Sequence, residues 1–269
     1  MSASDAIGTT SAGADARTLS VVVPAFNEEA TIAMVLEKLL AVKNLLEIIV
    51  VDDCSTDRTY QIATEFAARH GELRVTRQPR NGGKTQALKS GFALCSGDIV
   101  IVQDADLEYD PSEIEFVISP ILLGRADVVF GSRFQVRRAA RVLYYYHYVA
   151  NKFLTTLSNL CTNLNLTDVE TGYKAFRREI IQEMIITSDG FGFEIEVAAK
   201  VSKLHCAIYE VPISYYGRTY EEGKKIGTKD GIAAIWYVFR YNFFTSLTAS
   251  FRRVPPLPKG VPASQEEAI

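Results

Sequence analysis

The chain has 269 residues, 48% of them hydrophobic and 23% charged, the proportions of an ordinary globular protein large enough to bury a substantial core. Lys plus Arg number 29 against 32 for Asp plus Glu, a formal charge of −3. That balance excludes the broad positive field of a non-specific nucleic-acid binder, and no apolar run approaches the roughly 18–20 residues that cross a bilayer.

Residues 1–17 are rich in Ser, Ala, Gly and Thr with no apolar core, and read as a tail rather than a secretory signal. From there, short apolar segments alternate with segments of helical spacing. Strands are expected at Leu19–Val23, Glu47–Val51, Leu73–Arg77, Ile99–Gln103 and Asp127–Phe130. Helices are expected at Ala30–Val42, Asp57–Arg69, Lys84–Leu94 and Ser112–Leu122. Buried strands with helices between them imply an α/β fold with a mostly parallel, Rossmann-like central sheet covered on both faces. In such sheets the ligand lies beyond the carboxyl ends of the strands. Those ends carry Asn27-Glu28-Glu29, Asp52-Asp53, Asn81-Gly82-Gly83-Lys84, Asp104-Ala105-Asp106 and Gly131-Ser132-Arg133. Five polar clusters on one edge point to a ligand crevice.

The chemistry of each cluster can be read further. Asp104 and Asp106 at a strand end, with Glu108 as a third oxygen donor, suit Mg²⁺ or Mn²⁺ shared with substrate phosphates; the alternative is a turn capped by Asp110 or Ser112. Asp53 can accept hydrogen bonds from a base or ribose. Gly82-Gly83-Lys84 offers backbone N–H groups to a phosphate, without the spacing of a Walker A loop. No GxGxxG follows the first strand, which argues against a dinucleotide oxidoreductase, and no GxSxG motif is present. Cys54, Cys95, Cys161 and Cys206 are scattered and the histidines number three, so a zinc site is not expected; the thiols read as reduced, in a cytosol.

The second half differs in character. Arg137–Leu164 is a long helical stretch holding Arg137, Arg138, Arg141 and the run Tyr144-Tyr145-Tyr146-His147-Tyr148. Arginines beside tyrosines suit a membrane interface; a core helix, or a face shared in a homo-oligomer, is the alternative. Thr167–Lys174 reads as a polar turn before a helix, and Phe191–Glu196 opens another. Glu194 and Glu196 stand two apart, so at most one faces a site. Val211–Ile213 is an edge strand. The loop carrying Arg218, Glu222-Gly223-Lys224 and Lys225 could fold over a diphosphate. Gly231–Phe251 is aromatic-rich but interrupted by Arg240 and Asn242, so it lies on a surface or packs against one. Residues 254–269 read as a second tail.

Taken together, VVVPAFNEEATI, VDDCSTDRT, NGGKTQALKSGF, QDADLEYDP, VVFGSRF, TDVETGYKAFRR and VPISYYGRTYEEGKKIG resemble the family 2 glycosyltransferases, inverting enzymes of GT-A fold, in order from about residue 19 to 245. Within that family the chain looks most like the dolichyl- and polyprenyl-phosphate sugar synthases. The resemblance implies a GT-A domain over 18–228, with a nucleotide-sugar half (18–133) and an acceptor half (134–228), followed by a C-terminal amphipathic interface helix over 229–253. It implies a GDP- or UDP-linked sugar donor, a divalent metal, a lipid-phosphate acceptor and a peripheral place at the cytoplasmic face of a membrane. Pro24, Ala25, Asn27 and Glu28 would line the nucleotide, with Gly83, Lys84 and Ala105 beside it. Asp53 would face the base or ribose, and Asp104 and Asp106 would hold diphosphate and metal. Glu108 stands where lipid-phosphate members can carry Gln. Arg133, Arg218 and Lys224 would handle phosphate groups. A phosphate acceptor is already ionised and needs no base; a hydroxyl acceptor needs one, with Asp168 the first candidate and Glu194 the second. A nucleotide-sugar-binding protein without turnover is the competing reading of another class.

Overall fold

A computed structural model describes residues 17–135, 144–190, 192–217 and 228–257. Arg137, Arg138, Arg141, Arg218, Glu222, Lys224, Lys225 and most of both expected tails lie outside the described residues.

The first half follows the sequence pattern. Strands β1 (Leu19–Ala25), β2 (Leu45–Asp52), β3 (Leu73–Arg77), β4 (Ile99–Val102) and β5 (Val128–Ser132) alternate with helices α1 (Ile32–Leu39), α2 (Thr59–Ala67), α3 (Lys84–Leu94) and α4 (Ile114–Leu122), α4 being entered through a 3₁₀ turn at Pro111–Glu113. α5 (Tyr145–Thr162) follows, then β6 (Lys174–Arg177), α6 (Arg178–Glu183), α7 (Phe193–Ser202), β7 (Ile208–Pro212), α8 (Thr228–Phe243) and α9 (Leu247–Ser250).

The strands form one sheet in the order β3-β2-β1-β4-β6-β5-β7. β6 is antiparallel to both its neighbours, while every other pair is parallel. This strand is a correction: the sequence places a turn and helix there, and β6 itself is only four residues long. β7 is an edge strand, as expected, and starts three residues before the predicted segment.

Period-two alternation splits the core into two layers. Leu19, Val21 and Val23 of β1 face a layer built with α1, α2 and α4; Val22 faces the other, built with α3, α6, α7 and part of α5 and α8. α8 is therefore part of the packed body, burying Val238 and Tyr241 completely. β1 ends at Ala25, paired with Asp52 of β2, and β4 ends one residue before Gln103. The polar clusters after β1, β2 and β4 consequently open on one edge.

Candidate active site

A crevice of about 340 Å³ lies on that edge, a volume typical of small-ligand sites. Pro24, Ala25, Phe26 and Glu28 after β1, Asp53 after β2, and Asn81, Gly83 and Lys84 before α3 form one wall. Asp104, Ala105, Asp106, Glu108 and Tyr109 after β4 lie across the middle. Arg133, Glu170, Gly172, Gly190, Glu194 and Tyr215 complete the lining, Gly190 lying directly against Gly83 and Thr85. Asn27 and Asp168 are absent from the lining.

The Asp53 carboxylate accepts hydrogen bonds from the N–H groups of Gly82 (2.8 Å) and Gly83 (2.7 Å). The glycine turn thus spends these donors on the protein's own carboxylate, which corrects the expectation that they meet a phosphate. Gly83 still needs to be glycine, because its φ of 81° lies in the left-handed region. Asn27, expected beside the nucleotide, makes a structural contact here. Its Oδ1 accepts from Thr56 N at 2.9 Å, bracing the turn after β1 against the turn after β2.

Lys84 becomes the hub of the crevice. Its ammonium stands 2.9 Å from Asp104 Oδ1, 3.0 Å from Asp104 Oδ2 and 3.3 Å from Glu194 Oε1. Burial alone would lower its pKa, but Asp104 and Glu194 outweigh that and raise it, so Lys84 stays charged. Gly172 allows this hub to form: a Cβ there would sit 2.7 Å from Asp104 Oδ2 and 3.0 Å from Lys84 Nζ.

The turn carrying Asp104 and Asp106 is stapled by buried Gln103, whose amide donates to the carbonyls of Asp104 (3.1 Å) and Tyr109 (3.2 Å). Thr31 Oγ1 donates to the carbonyl of Ala105 at 2.7 Å. Both carboxylates are hard oxygen donors lining the crevice, the chemistry that Mg²⁺ and Mn²⁺ take. Among the described residues no three acidic, His or Cys side chains converge into a cage. Glu108 also lines the crevice, and its Oε2 accepts from Tyr215 OH at 2.9 Å. Both Asp104 oxygens meet the Lys84 ammonium, so a cation here would share Asp104 with Lys84, with Asp106 and substrate oxygens completing its shell.

Asp168 is fully buried and accepts from Arg133 N, Nε (2.6 Å) and Nη2 (2.8 Å). Burial pushes its carboxyl up, but the Arg133 guanidinium more than offsets this and holds it below the usual range. Asp168, expected as the first candidate base, here orients Arg133 and lies outside the crevice lining. Behind it, Glu210 of β7 accepts from the N–H groups of Thr167 (2.8 Å) and Asp168 (3.1 Å) and fixes the turn. Arg133 lies over the Tyr215 ring, 5.1 Å from its centroid, and Tyr109 stacks on Tyr173 at 5.2 Å. These tyrosines, with Glu170, Gly172 and Gly190, were not singled out from the sequence.

Glu194 does reach the crevice. Glu196 points elsewhere, as the spacing requires; it pairs with buried Lys200 and accepts from Thr187 N and Ser188 N. Glu170 is the unanticipated group. Burial, and then the neighbouring Glu194, push its carboxyl up to about 7. Nearby Lys174, which donates to the carbonyls of Val169 and Thr171, is pushed down by burial to about 8.

An open α/β sheet with an acidic crevice at its carboxyl edge is the architecture of a ligand-binding α/β protein. The model for Glycosyl transferase family 2 matches residues 20–185, and the chain belongs to that family. It is 32% identical over 210 residues to a low-salt glycan biosynthesis hexosyltransferase of Haloferax volcanii, covering 77% of this chain and 49% of the relative. The chain thus spans about half the length of that relative. It is 28% identical over 219 residues to the polyprenol monophosphomannose synthase of Mycolicibacterium smegmatis, covering 79% and 82%. Among solved structures, glucosyl-3-phosphoglycerate synthase of Mycobacterium tuberculosis, in complex with Mn²⁺, UDP and phosphoglyceric acid, superposes with a TM-score of 0.66 at 25% identity, covering 84% of this chain and 79% of that one. The fold is GT-A.

Proposed function

We propose that the chain transfers a monosaccharide, with inversion, from a nucleotide-diphosphate sugar to a polyprenyl phosphate at a membrane surface. The observation that carries this reading is the Asp104–Lys84–Glu194 chain of charges. It joins the acidic turn after β4 to Glu194 at the start of α7, so that charged groups from two elements bear on one place in the crevice. The nucleotide would lie along Pro24, Ala25, Glu28 and Asp53. A divalent cation at Asp106 and Asp104 would supply positive charge against the leaving diphosphate. Lys84 adds a fixed positive charge at the same place, and Arg133, held by Asp168, faces the incoming acceptor. An ionised phosphate oxygen attacks the anomeric carbon from the face opposite the diphosphate, so no base is required. Arg218 and Lys224 would assist by pairing with phosphates.

A surface of aromatic side chains supports membrane contact. α5 and α8 pack together, and they expose Tyr145, Tyr146 and Phe153 of the first and Trp236 and Phe243 of the second. Tyr and Trp favour the headgroup layer, and the sequence just before α5 holds three arginines that would meet lipid phosphates. Among the described residues no helix is long and apolar enough to cross a membrane.

The likeness to an enzyme captured with phosphoglyceric acid favours a second reading, in which the acceptor is a small phosphorylated molecule with a free hydroxyl. That acceptor needs a base, and Glu194 or Glu170 would serve rather than Asp168. The two readings separate in one experiment. The chain is incubated with radiolabelled GDP-mannose or UDP-glucose, MnCl₂ and either undecaprenyl phosphate or 3-phosphoglycerate, and the product is partitioned between butanol and water. Label in butanol that depends on the lipid supports the first reading; label only in a water-soluble product with phosphoglycerate replaces it with the second.

A further inference from the structure

Two carboxyl oxygens at the crevice have no hydrogen-bond partner, although both are buried: Glu170 Oε1 and Glu194 Oε2. Buried carboxylate oxygens are costly to leave unsatisfied, so an exception at a ligand crevice marks a place where a ligand supplies the donors. Glu194 is only 4% exposed and is fixed on its other side by Lys84. Its open oxygen is therefore aimed, not mobile. Glu170 is held by its backbone, since Lys174 grips the carbonyls on either side of it.

We propose that Glu170 and Glu194 together hold the transferred sugar by its hydroxyl groups, so that the crevice takes a neutral hexose and rejects a uronic acid. This deepens the reading of the chain as a nucleotide-sugar transferase and rests on it. Three physical points lead there. First, position: Lys84 bridges Glu194 to Asp104 and Glu194 is the near neighbour of Glu170, so the two glutamates lie one side chain beyond the place expected for the diphosphate. The group covalently attached to the diphosphate is what lies next. Second, donor chemistry: two acceptor oxygens call for O–H or N–H donors. A sugar ring brings several, whereas a lipid tail brings none and a phosphate brings negative charge. Third, charge: a ring carboxylate placed beside the Glu194 carboxylate would meet like charge in a half-dry site, the kind of repulsion that discriminates strongly between otherwise similar ligands. Glu170 retains its proton to near neutrality, so it can donate to a hydroxyl oxygen as well as accept, a pairing that suits a ring hydroxyl.

The test is titration calorimetry with MnCl₂ on the whole chain, using UDP, UDP-glucose and UDP-glucuronate, and GDP, GDP-mannose and GDP-mannuronate. Native protein should bind one neutral hexose conjugate more tightly than its bare diphosphate, and the matching uronate more weakly than that diphosphate. Glu170→Ala should weaken the hexose conjugate up to about tenfold, the upper worth of one neutral hydrogen bond, and leave the bare diphosphate within about twofold. Glu170→Gln, which keeps the volume, should narrow the gap between hexose and uronate when measured at about pH 8.5, where the native Glu170 has lost its proton, and serves where the alanine variant fails to fold. Equal shifts for conjugate and diphosphate, no shift for either, or a native chain that binds the uronate as well as the hexose would overturn the inference while leaving nucleotide use intact. A native chain that binds none of the six overturns both it and the reading beneath it.

Discussion

Asp168 and Glu170 stand two residues apart, and their surroundings drive them to opposite protonation states. Asp168 is clamped by three N–H groups of Arg133. Nothing in the sequence connects residues 133 and 168; only the fold brings the ends of β5 and the 167–172 turn together, which is why an acidic residue in a polar turn reads as a base when it is a brace. Asp168→Asn leaves a buried guanidinium without its counter-charge, and should cost about 3–5 kcal/mol in urea unfolding. A change under about 0.5 kcal/mol would show that the pair is not holding the wall. Because the Asp168 carboxyl is held below its ordinary value, its contribution is present above the usual carboxyl range and disappears as pH falls through the folded value. Glu170 has the reverse sign. The folded chain keeps this proton up to about 7, whereas the unfolded chain releases it near 4.5. Stability should therefore decline as pH rises between those values. Melting temperatures of native protein and Glu170→Gln, taken across that range, should diverge with the native curve sloping downward and the variant flatter; parallel curves would place the glutamate in an ordinary, wet environment.

At the scale of elements, the βα series was legible because its pattern is local. β3 and α3 fall on their predicted residues, and β1, β2 and β4 differ by a residue or two at their ends. The ligand edge followed from that series alone, since the polar residues after β1, β2 and β4 must share it. β6 was not legible. Four residues, Lys174–Arg177, carry too short an alternation to register, and antiparallel insertion between β4 and β5 is a non-local event with no sequence period. Yet this strand shapes the site, because the turn leading into it delivers Glu170 and Gly172 to the crevice. Gly172→Ala tests that role. The added methyl would meet the Asp104–Lys84 pair, so nucleotide-sugar affinity should fall at least tenfold, while far-UV circular dichroism stays native. Unchanged affinity would mean that the turn has room to retreat and that the hub does not depend on it.

Over the whole molecule, the near-neutral charge conceals a division that composition cannot reveal. Carboxylates gather at the crevice, and the opposite chemistry, tyrosine and tryptophan, gathers on the paired α5 and α8. Helical spacing placed the tyrosines on a helix, but not their exposure, because the same run packs equally well in a core. The structure decides this: Tyr145 is 72%, Tyr146 85% and Trp236 58% exposed. Side chains this exposed contribute little to folding, so their replacement separates surface function from stability. A chain carrying Tyr145→Ser, Tyr146→Ser and Trp236→Ser should keep its melting temperature within about 6 °C, since each solvent-facing substitution rarely exceeds about 0.5 kcal/mol. Its co-sedimentation with phosphatidylglycerol vesicles should fall several-fold, because each ring removed takes apolar area out of the interface. Binding of soluble nucleotide sugar should not change. If vesicle binding persists and sedimentation velocity instead shows a dimer becoming a monomer, the aromatic face is a contact between two copies of the chain, and a lipid-phosphate acceptor would have to reach the crevice by another side.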